Sequence, residues 1–137
     1  MTGEISFRVG NVREDFITLV RALEIVKVKG KEEWEVFDVI HSLVTDPNTF
    51  FFINENDIVV LNKNEKLLWV WCFYAEGGDA YAKYMDHFMN FAKQIGCTSI
   101  GFDSSRKAYQ RMLYKLPGAY IKKITYQIDI EEKNYAI

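Results

Sequence analysis

Little in this sequence points to a metal, a disulfide, a membrane or a nucleic acid. The 137 residues include two cysteines and two histidines. Cys72 and Cys97 stand far apart with no Cys-x-x-Cys between them, and each falls in or beside a strand-like apolar run, which assigns them to reduced structural positions. His41 and His87 are isolated, so no metal-ligand spacing exists. Lys and Arg number 17 against 19 Asp and Glu, a net charge of −2 that supplies no broad basic field for nucleic acid. The start, Met1-Thr2-Gly3-Glu4-Ile5, lacks a basic region followed by an apolar one, and no apolar run approaches the ~20 residues that span a bilayer. The expectation is a cytoplasmic protein with neither membrane nor nucleic acid among its partners. No internal repeat or low-complexity tract is visible.

What is present is a core. Apolar residues make up 49% of the chain and aromatic residues 15%, outside the disordered range, and the length suits a single domain over residues 1–137. Glu4 to Val9 places Ile5, Phe7 and Val9 on one side of a first strand. Phe16, Leu19, Val20 and Leu23 mark a helix that Lys27 to Lys31, with Gly30, should break. A second helix from Glu32 to Val44 would put Trp34, Phe37, Ile40 and Val44 together and end before Asp46-Pro47-Asn48. Phe50–Ile53, Ile58–Leu61 and Leu67–Ala75 are short apolar runs separated by the quartets Asn54–Asp57 and Asn62–Glu65, the pattern of an antiparallel meander. Near the C-terminus Ile124, Tyr126, Ile128 and Ile130 alternate with polar residues in a half-buried closing strand, followed by a short tail from Glu131 to Ile137.

The organising stretch runs from Lys66 to Asp103. Leu67 to Ala75 is apolar at odd and even positions, so both of its faces should be covered, as in a central strand. Glu76-Gly77-Gly78-Asp79 then leads into a helix from Ala80 to Ile95. There Tyr81, Met85, Phe88, Ala92 and Ile95 form the packing face, and Lys83, Asp86, His87, Asn90 and Lys93 the solvated one. Thr98 to Phe102 is the next strand. A strand, a glycine loop and a helix start present free backbone N–H groups to a phosphate, because first-turn amides have no intrahelical acceptor and the helix dipole favours an anion.

The segment Glu76-Gly77-Gly78-Asp79-Ala80-Tyr81-Ala82-Lys83-Tyr84-Met85 resembles the acetyl-CoA loop and following helix of the GNAT superfamily of N-acetyltransferases. The resemblance continues through Thr98–Phe102, a helix from Arg106 to Leu116, and Tyr114-Lys115-Leu116-Pro117-Gly118-Ala119-Tyr120, similar to the family's Tyr-x-x-x-Gly-Phe ending. It implies an α/β (α+β) fold with a mixed, mostly antiparallel sheet of six or seven strands and helices on both faces. It implies acetyl-CoA as cofactor and an amine as acceptor. The loop amides at Gly77, Gly78, Asp79 and Ala80 would hold the pyrophosphate, with Arg106 beside the phosphates. The Cys72–Tyr74 backbone, including Phe73 and Tyr74, would pair with the pantetheine arm, and Tyr114 would be the general acid.

The departures from that pattern are informative. Glu76 stands at the family's Arg or Gln position, Asp79 at the first critical glycine and Tyr81 at the second. A carboxylate repels the pyrophosphate, and Asp79 as an N-cap would occupy the amides the phosphates need. Lys107 replaces an expected asparagine, and Trp69 to Phe73 offers no Asp or Glu as a base.

Each candidate also has a plainer reading. Gly77 and Gly78 also suit a plain tight turn, and Tyr114 an amphipathic surface. Trp69, Trp71 and Phe73 line either an acyl pocket or the core, and Trp34 and Phe37 either an acceptor site or the core. Asp103, Ser104 and Ser105 suit capping, Arg106 and Lys107 a solvated helix start, and His87 an exposed surface. Two functional readings follow: an acetyltransferase whose activity is weak or lost, or a non-catalytic protein-binding module. Small divergent GNAT-like proteins of tailed bacteriophages, some encoded beside virion-assembly genes, carry loops that look like this one.

Overall fold

In the computed structural model, which describes residues 7–76, 80–104 and 124–130, the turn-separated runs in mid-chain form the expected meander. Strands β2 (Thr49–Asn54), β3 (Asp57–Asn64) and β4 (Leu67–Tyr74) pair antiparallel in succession, with Glu55 and Glu65 at positive φ in the two tight turns. Strand β1 (Arg8–Val9) adds to the β2 edge. Helices α1 (Phe16–Gly30) and α2 (Val36–Thr45) lie between β1 and β2 in the chain. After β4 come helix α3 (Ala80–Gln94), strand β5 (Ser99–Ser104) and strand β6 (Ile124–Asp129). The six described strands stand in chain order, and every neighbouring pair is antiparallel except β4 and β5. That one pair is parallel because α3 carries the chain back across the sheet.

The helices cover opposite faces. Leu19, Ala22 and Leu23 of α1 and Val39 of α2 pack on Phe51, Ile53, Ile58, Val60 and Cys72. On the other face Tyr84, Phe88 and Ala92 of α3 pack on Phe52, Val59, Leu61, Leu68, Val70 and Ile100. Strand β4 is central, as its apolar run requires. The fold is therefore the mixed, mostly antiparallel sheet with helices on both faces implied by the family resemblance.

Helix α1 does end within Lys27 to Lys31, as expected: it runs through Gly30, and Lys31 takes the left-handed cap at φ 50°. The Lys27 ammonium donates to the carbonyls of Trp34 (2.6 Å) and Glu32 (3.3 Å), tying the following loop to the last helical turn. Several local expectations are corrected. Helix α2 starts later than expected, at Val36. Its Glu35 amide is bound by Asp38 at 3.1 Å. Its packing stripe is Val36, Val39, Ile40 and Leu43, whereas Phe37 and Val44 are 74% and 67% exposed. Val9 is 73% exposed rather than inward, on the edge strand β1, which has no neighbour beyond it among the described residues.

On α3 the stripe is centred on Tyr84, Phe88 and Ala92, with Met85 and Ile95 only partly buried. His87 is not on a solvated face. Its ring lies edge-on to Phe7 and Phe52 at 5.2 and 4.8 Å, and its Nε2 is buried without a hydrogen-bond partner. The expected helix from Arg106 to Leu116 and the tail from Glu131 lie outside the described residues.

Candidate functional site

The site begins with a defect in the β3–β4 ladder. Val60 pairs with Cys72 and Leu61 with Val70, so Trp71 is an extra residue, a β-bulge in β4. The bulge changes which way the strand faces: Leu68 and Val70 belong to the α3 side, but Cys72 belongs to the α1 side, and Phe73 returns to the α3 side. A bulge also bends its strand and sharpens the local twist.

The parallel ladder between β4 and β5 ends at the same place. Its rungs are Leu67 with Ser99, Leu68 with Ile100, Trp69 with Gly101 and Val70 with Phe102. Beyond them β4 runs on to Tyr74 and β5 to Ser104, but the two no longer pair. From Trp71 to Tyr74, β4 therefore has no ladder partner on its β5 side among the described residues. Peptide groups along such an edge need acceptors and donors from elsewhere. A gap that opens mid-sheet, outside the carboxyl ends of two parallel strands, is a common place for a ligand.

Beside the end of β4, on its β3 side, lies a polar cluster centred on Asp57, at the start of β3. Asp57 is 5% exposed, and its carboxylate accepts from three groups. The Glu76 backbone N–H donates to Oδ1 at 2.8 Å, the Lys83 ammonium donates to Oδ2 at 3.2 Å, and the Tyr84 hydroxyl donates to Oδ2 through a short bond. Asn54 Nδ2 donates to the Tyr84 oxygen at 3.1 Å, and the Tyr84 ring stacks on Phe7 at 4.0 Å. Burial alone would raise the Asp57 carboxyl, but the bonds from Tyr84, the Glu76 amide and Lys83 outweigh it and hold the group below its usual value. The bond to Asp57 in turn raises Lys83, and burial together with the same carboxylate raises Tyr84. At neutral pH the centre is a carboxylate, an ammonium and a neutral phenol.

The sequence candidates distribute as follows. Phe73 and Tyr74 lie in the unpaired stretch of β4. The Phe73 ring points into the α3-side core against Phe88 at 5.3 Å, so it can offer a ligand mainly its backbone. Tyr74 is on the opposite face, and its hydroxyl meets Glu76 at 3.4 Å. Ala80 opens α3. Gly77, Gly78, Asp79, Arg106 and Tyr114 lie outside the described residues. Cys72 adjoins the bulge, but burial pushes its thiol well above the usual value, which makes it inert. Trp69 covers the ladder rather than a pocket, its ring lying over Gly101. Of the residues proposed to touch an acceptor, Trp34 packs against the α1-side core and Phe37 is exposed.

Sequence reasoning missed Asp57 and Tyr84. Asp57 belonged to a turn quartet and carried no signal beyond its place directly before Ile58–Leu61; Tyr84 lay one residue before the assumed stripe position Met85. Among the described residues no His, Cys, Asp and Glu group could hold a metal, and no helix is long and apolar enough to cross a membrane.

No protein-family model and no curated protein matches the sequence. Solved structures do match the fold. An acetyltransferase from Streptococcus agalactiae superposes with a TM-score of 0.63 at 16% identity, covering 94% of this chain and all of that one. A GNAT-family acetyltransferase from Staphylococcus aureus Mu50 gives 0.61 at 13% identity, with 92% and 99% of the two chains covered. A putative acetyltransferase from Salmonella typhimurium, solved with its cofactor acetyl-CoA, gives 0.60 at 9% identity, covering 95% and 96%. The fold is that of the GNAT acetyltransferases.

Proposed function

We propose that this chain, as a single domain over residues 1–137, binds acetyl-CoA between β4 and β5 and transfers the acetyl group to an amine, with activity reduced by its acidic loop. The observation that carries the reading is the coincidence of the Trp71 bulge with the last β4–β5 rung at Val70 and Phe102. It leaves an unpaired strand edge where an extended chain of amides can add. The fold shared with a neighbour solved with acetyl-CoA supports the same choice of ligand.

The unpaired β4 edge suits such a group. The β4 edge from Trp71 to Tyr74 would pair with the amides of the pantetheine arm, and the α3 start at Ala80, with Gly77, Gly78 and Asp79 before it, would face the pyrophosphate beside Arg106. Bound acetyl-CoA supplies an activated thioester whose acyl group an amine can accept. The Cys72–Tyr74 backbone would orient the ligand, while the Trp71 and Phe73 rings pack into the cores on opposite faces of the strand. Tyr114 would hold at its Oη the proton needed by the departing thiol.

One observation favours a second reading, a non-catalytic protein-binding module such as a bacteriophage virion-assembly protein. Strand β4 carries no Asp or Glu, and the buried carboxylate nearby, Asp57, has both oxygens engaged. No free base is in view among the described residues of β3 and β4.

Thermal unfolding with and without acetyl-CoA tests the proposal. Ligand at a hundred times its dissociation constant adds about 2.7 kcal/mol, hence a rise on the order of 5–10 °C. The rise should vanish in Gly78→Glu and persist in Glu24→Gln on the exposed face of α1. No shift at millimolar ligand would sink the acetyl-CoA reading and leave the binding module.

A further inference from the structure

Asp57 is the one charged residue that is buried among the described residues. Its backbone does not require the side chain, because the β2–β3 hairpin is already held by continuous pairing from Thr49 with Asn62 to Asn54 with Asp57. Yet every described partner of the carboxylate lies outside that hairpin: Glu76 after β4, and Lys83 and Tyr84 in α3. One oxygen takes the β4 side and the other takes the α3 side. A buried charge is costly unless its partners satisfy it, so these three bonds must form together. They join the end of β4, which borders the gap, to the first turns of α3.

We infer that Asp57 is a positioning residue for the acyl-CoA site, setting the end of β4 and the start of α3 in fixed relation so that one ligand meets both. The inference rests on the acetyl-CoA reading. An extended ligand arm on the Trp71–Tyr74 edge and a phosphate at the α3 start belong to one molecule, so their separation must be held. Without Asp57, Glu76 and Lys83 lose their common acceptor, and the β4 end and α3 are free to shift against each other. The Asn54–Tyr84 bond and the Phe7 stack keep α3 seated on the sheet, so what is lost is chiefly the link to β4.

The test is calorimetric titration with acetyl-CoA, beside ligand-free unfolding, for the wild type, Asp57→Ala, Asp57→Asn and Tyr84→Phe. Val39→Ala, a cavity on the opposite face of the sheet, serves as the control for lost stability. Asp57→Ala should weaken binding about tenfold or more, since small misplacements of bound groups are costly. Asp57→Asn, which can no longer serve Glu76 and Lys83 equally, and Tyr84→Phe, which keeps the ring but drops the bonds to Asp57 and from Asn54, should each weaken it by about threefold. Val39→Ala should lower the unfolding temperature yet bind within about twofold of wild type. If Asp57→Ala does not fold, the other two variants decide. Wild-type affinity in the Asp57 and Tyr84 variants overturns the inference while the acetyl-CoA reading stands. A wild type that takes up no acetyl-CoA overturns both.

Discussion

Gly101 gives the most direct test of the strand divergence. It faces Trp69 on the penultimate rung of the β4–β5 ladder. A Cβ placed there would lie 2.9 Å from Cε3 and Cζ3 of Trp69 and 3.3 Å from a Leu67 methyl. That is about 0.6–1.1 Å inside the ~3.5–4.0 Å optimum for carbon pairs. The indole is rigid and half-buried, so relief requires the ring or the strand to move. Overpacking of this kind costs about 1–3 kcal/mol, against roughly 0.5–1 kcal/mol gained by replacing glycine in a strand. The clash wins, and Gly101→Ala should lose about 1–2 kcal/mol.

At ~2.1 cal/mol/K per residue, the unfolding entropy converts that loss to a fall of about 3–7 °C, measured by circular dichroism. The cause is separable by a double-mutant cycle. In a Trp69→Val background the ring atoms are gone, so adding Ala at position 101 should be neutral or stabilise by up to ~1 kcal/mol. Equal losses in both backgrounds would refute the argument that the indole over Gly101 sets the spacing of these strands. Because the next rung is the last before the gap, Gly101→Ala should also weaken acetyl-CoA binding more than its stability loss alone implies.

Two further outcomes follow from the structure. Burial lowers the His87 pKa, and its Nε2 has no partner, so the unfolded chain binds this proton more readily than the folded one. Stability should therefore be full above the unfolded value of about 6.5 and fall as pH drops below it. Urea midpoints measured between about pH 7 and pH 5 should decline in the wild type and decline less in His87→Leu. Equal declines would show that His87 is not the group. On α2, Phe37→Ser should change stability by no more than about 0.5 kcal/mol because the ring is exposed, while Val39→Ala should cost about 1–3 kcal/mol; the reverse order in urea unfolding would mean that the helix presents its other side to the core.

The candidate site was legible as a place before it was legible as a geometry. The apolar run Leu67–Tyr74 and the helix beginning at Ala80, which flank the proposed ligand site, were legible because each is a local pattern. The bulge at Trp71 was not legible: no glycine or proline marks it, and an extra residue shows only against a partner strand. The phase of α2 misled because Trp34, Phe37, Ile40 and Val44 form as good an apolar stripe as Val36, Val39, Ile40 and Leu43. Periodicity alone cannot choose between two stripes on one short helix.

By itself the sequence determined the order and type of the described elements and a core large enough to hold them. The turn quartets, the period-two and period-four spacings and the two-sided apolar β4 act over a few residues and depend on no distant partner. Tertiary structure alone decided where β4 and β5 part, that Asp57 is buried between Glu76 and Lys83, and that His87 is wedged among Phe7 and Phe52. Burial of a polar side chain is a property of what packs over it, and here the covering groups come from segments up to 80 residues away, as Phe7 is from His87.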